Sequence, residues 1–165
     1  KETLLDLLDL AHAAPTHKQT EPWRFRIFHS EESRQKLSDH LGADYEEQNK
    51  DGGFSAFKFK KVKAKPIQSA AVLAIVMKRD EAERIPEWEE IASVAMAVQN
   101  IWLGCAARNI GSYWSSPSSI TKRSNAFLEL KSGERCLGLF YMGYVDEFET
   151  KDKERADIKD KIYWI

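Results

Sequence analysis

The chain is short of most features that announce a chemistry. Among its 165 residues are only two cysteines, Cys105 and Cys136, and neither belongs to a C-x-x-C pair. That argues against a disulfide framework or a zinc cluster and fits a reducing, cytoplasmic setting. The four histidines, His12, His17, His29 and His40, lack metal-ligand spacing on a helix. There is no G-x-S-x-G elbow, no glycine-rich phosphate loop and no H-E-x-x-H, so nucleophilic or metal catalysis by the protein has no motif to rest on. The formal net charge is −1, so no overall field recruits nucleic acid or a membrane surface. The start, Lys1-Glu2-Thr3-Leu4, has no signal-peptide pattern. It begins inside a helical pattern, from which we expect further residues upstream.

The length suits one domain with a substantial core, spanning residues 1–165. Leu4, Leu7, Leu8 and Ala11 share one face of a first amphipathic helix. Residues 23–29 alternate as a strand, with Phe25 and Ile27 against Arg24 and Arg26. Ser30, Glu31 and Glu32 open a short helix expected to stop at Gly42. Residues 43–66 read as a solvated flap, an excursion broken at Gly52-Gly53. Its phenylalanines interleave with lysines, a pattern that can bind single-stranded nucleic acid. The near-neutral charge and the lack of a recognition motif argue against that partner.

Residues 70–77 (AAVLAIVM) form an apolar run suited to a strand buried on both faces. Pro86 and the glutamates 87, 89 and 90 open a long helix that ends before Gly111. It is apolar on nearly every side, which points to a core helix partly shared with a second subunit. Charged residues close in on it, so it is too short for a membrane span of about 20 apolar residues. Cys105, on this apolar helix, reads as inert packing. Residues 112–116 form a short strand, 123–130 a short helix, and 136–145 a second strongly apolar strand. The arm at 146–165 is densely charged yet ends in Ile162-Tyr163-Trp164-Ile165, which is costly to expose and is expected to dock as a strand on a partner.

One loop stands out. Residues 14–25 (APTHKQTEPWRF) run from a helix into a strand, with Pro15 and Pro22 bracketing Thr16, His17, Lys18, Gln19 and Thr20. Each proline narrows the backbone at its own and the preceding position. Such a stiff, donor-rich turn suits a polar, anionic ligand. It also suits an ordinary connection with solvated side chains, and the loop by itself leaves both readings open.

With protein-borne catalysis unsupported, chemistry carried by an organic cofactor is left. The loop, together with residues 86–100 (PEWEEIASVAMAVQN), 104–116 (GCAARNIGSYWSS) and 138–143 (GLFYMG), resembles the nitroreductase family of FMN-dependent oxidoreductases in its small, single-domain form. The resemblance implies an α+β fold of three layers, α/β/α, with a mainly antiparallel central sheet. It also implies a homodimer with FMN at the subunit interface and NADH or NADPH as hydride donor. Transfer would be ping-pong, to a nitroaromatic, quinone or similar acceptor, and would need no protein acid or base. The alternative is a flavin store or sensor with little turnover. By the same resemblance Thr16, His17 and Gln19 contact the flavin or its ribityl phosphate. Trp114, Ser115 and Ser116 lie along its ring, and Lys153 and Arg155 are candidates for the phosphate. Each charge-assisted hydrogen bond of that kind is worth about 1.5–3 kcal/mol. Family members carry an Arg-Arg-Ser-like phosphate grip before the first helix. Lys1 starts too late to include it, and we expect it in the missing upstream residues.

Overall fold

The computed structural model describes residues 1–145 and 154–165. Four strands form one sheet: β1 (Trp23–Phe28), β2 (Ala71–Lys78), β3 (Ile110–Ser115) and β4 (Glu134–Tyr144). Their order is β1-β2-β4-β3 and every neighbouring pair is antiparallel. Helices α1 (Glu2–His12) and α4 (Glu87–Ala106) cover one face. On the other lie α2 (Glu31–Gln48), α3 (Ala56–Gln68) and α5 (Ser118–Thr121). The expected α/β/α layering with an antiparallel sheet is therefore present.

Strand β2 explains its own composition. Leu73, Ile75 and Met77 face the α1/α4 layer, whereas Val72, Ala74 and Val76 face the α2/α3 layer. Each is at most 1% exposed, so every position in the run is apolar instead of alternating. Full burial of each large side chain stabilises the fold by about 1.5–3 kcal/mol.

Residues 43–66 depart from expectation. Helix α2 continues through Gly42, which is a point of close approach and not a stop. A Cβ there would lie 2.9 Å from Lys63 Cδ and 3.4 Å from Phe59 on α3. In place of a flap, the phenylalanine–lysine run forms α3, with Ser55 Oγ accepting from Lys58 N at its start. Phe59 packs with Tyr45 and Phe54, and Lys63 pairs with Asp39. Pro66 falls in the last turn, where it removes one intrahelical hydrogen bond and helps to end the helix. Carbonyls at the helix end have other partners: Arg34 donates to Ile67 O and Ser69 O, and Ser69 Oγ to Lys65 O.

The short helix also falls elsewhere than expected. Residues 118–121 are helical after Pro117, whereas 123–130 form successive turns, with Glu129 at φ 50°. Phe127 in those turns stacks on His40 of α2 at 4.0 Å, and Leu128 O accepts from Arg26 of β1. Long-range partners thus hold this segment in a shape its own sequence does not prefer. The terminal residues Tyr163 and Trp164 are 85% and 95% exposed on this single chain.

Candidate functional site

The opening loop is a strained, anchored structure. It contains a single 3-10 turn, His17–Gln19, and Lys18, Gln19 and Glu21 all have positive φ (50°, 53° and 42°). Non-glycine residues in this region are uncommon and cluster where a surrounding structure enforces them, often at functional sites. The enforcing contacts are visible. Thr16 Oγ1 accepts from Glu21 N at 3.0 Å and lies 3.3 Å from Thr20 Oγ1. Lys18 Nζ donates to Arg84 O, and His17 Nδ1 lies 2.6 Å from Glu89 Oε2 on the first turn of α4. Between the loop and α4 runs an open groove of about 380 Å³, lined by His17, Trp88, Glu89, Ala92, Ser93 and Met96 among others.

Helix α4 is itself pinned one residue further on. Glu90 is wholly buried; it accepts from Arg79 and from Asp80 N, while Arg79 also donates to Ile85 O. Asp80 pairs with Arg84, whose side chain is the main cause that holds the Asp80 carboxyl down at about 2. This cluster ties the end of β2 to the start of α4 and so sets where Glu89 meets the loop.

The second expected segment lies apart from the first. Trp114 and Ser115 sit on β3, at the sheet edge opposite β1, into which the loop leads. Three strand spacings separate those edges, about 14 Å. Trp114 is half-buried against the α1/α4 core, and its Nε1–H donates to Leu137 O at 3.2 Å. The ladder shifts register between Ile75 and Val76, opposite Gly138 at φ +144°, and the bulge makes room for the indole. A Cβ on Gly138 would stand 2.3 Å from Trp114 Nε1. Ser115 is half-buried and Ser116 exposed. Arg155 is exposed, and Lys153 lies outside the described residues.

Beside β3 is a groove of about 400 Å³ that sequence reasoning missed, with Lys65, Gln68, Ser112, Tyr113 and Tyr141 on its walls. The Tyr113 and Tyr141 rings stack at 5.0 Å and 14°, and Lys65 Nζ sits 5.6 and 6.0 Å from them. Gly111 and Gly143 are paired beside it, and the Val145 side chain packs against Gly111. Ser112 Oγ, near the Cys105 thiol, is buried and makes no hydrogen bond of ordinary geometry among the described residues. A flat aromatic wall and a cation fit a planar ligand that carries anionic groups. No local motif marks this groove, because α3 and β3 meet only in the folded chain.

Other chemistries are poorly served. Among the described residues no three His, Cys, Asp or Glu side chains gather as a metal site. Burial pushes the Cys105 and Cys136 thiols up, Cys136 to about 11, so neither is a ready nucleophile. His40 Nε2 approaches Ser124 Oγ at 2.7 Å, with Asp44 one turn along α2. This grouping is locked: Ser124 is wholly buried and donates to Ser119 O, and Arg123 holds both Asp44 oxygens.

Comparison with known proteins gives the class. The model of the nitroreductase family matches residues 1–144, and the chain belongs to that family. YfhC of Bacillus subtilis (strain 168), provisionally named an NAD(P)H nitroreductase, is 29% identical over 160 residues, covering 96% of this chain and 80% of that protein. A nitroreductase-like family protein from Bacillus cereus superposes with a TM-score of 0.82 at 26% identity, over 100% of this chain and 84% of the other. A point mutant of NfnB, an FMN- and NADPH-dependent nitroreductase of Sphigopyxis sp. strain HMH, shares the fold with a TM-score of 0.76 at 14% identity, over 99% and 88% of the two chains. Among the described residues no helix is long and apolar enough to cross a membrane.

Proposed function

We propose that the protein is an FMN-dependent NAD(P)H oxidoreductase. It would pass hydride in two half-reactions to a nitroaromatic, a quinone or a similar electron-poor acceptor. The observation that carries this reading is the family match across residues 1–144. The bound flavin supplies hydride acceptance and release, so the chain's task is to bind, orient and shield.

The two halves of the site support an arrangement between subunits. The loop with Thr16, His17 and Gln19 and the β3 segment with Trp114, Ser115 and Ser116 lie at opposite sheet edges. A single flavin touched by both would therefore lie between two copies of the chain. Exposed apolar side chains near the end of α4 suit that contact: Trp102 and Leu103 are 37% and 60% exposed. In the groove beside β3, Tyr113 offers a flat surface and Lys65 a positive charge. Arg155 and Lys153 remain candidates for the phosphate.

The test is direct. Purified protein, reconstituted with FMN, should show a flavin band near about 450 nm that NADH or NADPH bleaches without oxygen. A chain that takes up no flavin refutes the proposal, and a band that neither nucleotide bleaches marks a store. Sedimentation should give a dimer; a flavin-loaded monomer would exclude the interface site.

A further inference from the structure

His17 and Glu89 form a pair that a simple binding loop does not need. Glu89 lies 72 residues after His17, and the 2.6 Å contact leaves His17 56% and Glu89 24% exposed. A carboxylate oxygen only accepts, so His17 Nδ1 carries the hydrogen. In the neutral ring Nε2 is then the bare nitrogen. In the protonated ring Nε2–H is a donor. Neighbouring charges are engaged elsewhere: Lys18 donates to Arg84 O, and Arg84 grips both oxygens of Asp80. The charged group facing His17 from α4 is thus Glu89, itself held in place by the buried Glu90 beside it. The pair opens on the groove walled by Trp88, Ala92 and Met96, an apolar surface on which a planar ring can lie.

The geometry points to a proton-supplying dyad. Glu89 is the positioning residue that fixes the Nδ1–H tautomer, and His17 is the catalytic residue that delivers a proton from Nε2 to the oxygen of a carbonyl acceptor, a quinone. This rests on the oxidoreductase reading above and adds the origin of the second hydrogen. Bound reduced flavin would supply the quinone with a hydride, two electrons and one proton. The oxygen left anionic takes one further proton from His17 Nε2–H, and hydroquinone departs. His17 is left neutral, still bonded to Glu89, and regains its proton from water at its exposed edge.

The dyad is tested with two acceptors that differ in their need for protons. Benzoquinone takes two electrons and two protons; ferricyanide takes one electron and no proton. In FMN-saturated dimer, the ratio of quinone to ferricyanide turnover should fall at least about tenfold in His17→Gln and in Glu89→Leu. A ratio removes any common loss of flavin affinity. Nitrogen NMR of the flavin-free protein provides a readout independent of turnover. It should show Nδ1–H at His17 in the wild type and a shift towards Nε2–H in Glu89→Leu. An unchanged ratio in either variant, or an Nε2–H tautomer in the wild type, overturns the dyad and leaves the oxidoreductase reading standing. A wild type that reduces neither acceptor overturns both.

Discussion

Replacing Glu90 with alanine should loosen the junction on which the candidate loop depends. Its side chain is 0% exposed, with one oxygen accepting from Asp80 N at 2.8 Å and the other from Arg79. Alanine leaves the Asp80 N–H without its partner, which alone costs about 1–3 kcal/mol. It also strips the nearer counter-charge from a guanidinium that keeps Ile85 O and, at 3.9 Å, the exposed Glu83. Removing one partner of a buried pair costs about 3–5 kcal/mol in all. At this chain length each kcal/mol moves the melting temperature by about 2–4 °C, so Tm should fall by about 6–20 °C. Urea unfolding at fixed protein concentration and salt is the assay, because a dimer's stability depends on concentration.

Glu87→Ala is the control. Glu87 occupies the same helical turn, but its side chain is 48% exposed and its partner Arg135 stands 3.1 Å away at the surface. An exposed pair of this kind contributes about 0–1 kcal/mol. If Glu90→Ala costs no more than Glu87→Ala, the buried pair does not anchor α4, and the reasoning fails. Because Glu89 adjoins Glu90, the destabilised variant should also hold His17 less firmly.

Other outcomes follow from the same contacts. Ser30→Ala removes the side chain that accepts from Ser33 N at the start of α2 and should cost about 1 kcal/mol in urea unfolding; no loss would mean that the cap is idle. Gly138→Ala should destabilise by at least about 2 kcal/mol and shift the tryptophan emission, since the new Cβ meets both Trp114 Nε1 at 2.3 Å and Ser115 O at 2.6 Å. Wild-type stability and an unshifted spectrum in Gly138→Ala would refute the bulge's role. The Asp80 carboxyl is held at about 2, mainly by its hydrogen bonds to Arg84, against about 3.9 when unfolded. Its contribution is therefore present above about pH 4 and lost as pH falls towards 2, and Asp80→Asn should flatten the loss of stability across that window. An equally steep loss in the variant would assign the acid transition to other groups.

Much of the fold was legible because local pattern and final environment agree. The uninterrupted apolar run at 71–77 is what a strand covered on both faces requires. The glutamates after Pro86 mark the start of α4 as they would in any helix. Where the reading failed, a distant contact outweighed a local signal. Gly42 looks like a stop but admits Lys63 and Phe59 from α3. Residues 123–130 look helical but are held as turns through His40 and Arg26.

The candidate site divides in the same way. The sequence by itself determined many of the elements, because periodicity, proline placement and helix caps are properties of adjacent residues, and the layering came with the resemblance to the nitroreductase family. It also marked the loop at 14–25 as stiff and rich in donors. Only the tertiary structure decided what that loop meets: Glu89, brought to His17 across 72 residues and steadied by a neighbouring buried carboxylate. It also decided that Lys65 lies over Tyr113 and Tyr141, and that the two halves of the expected site stand at opposite edges of one sheet. Contacts of this kind are set by packing between elements, and packing leaves no periodic trace in the residues that make it.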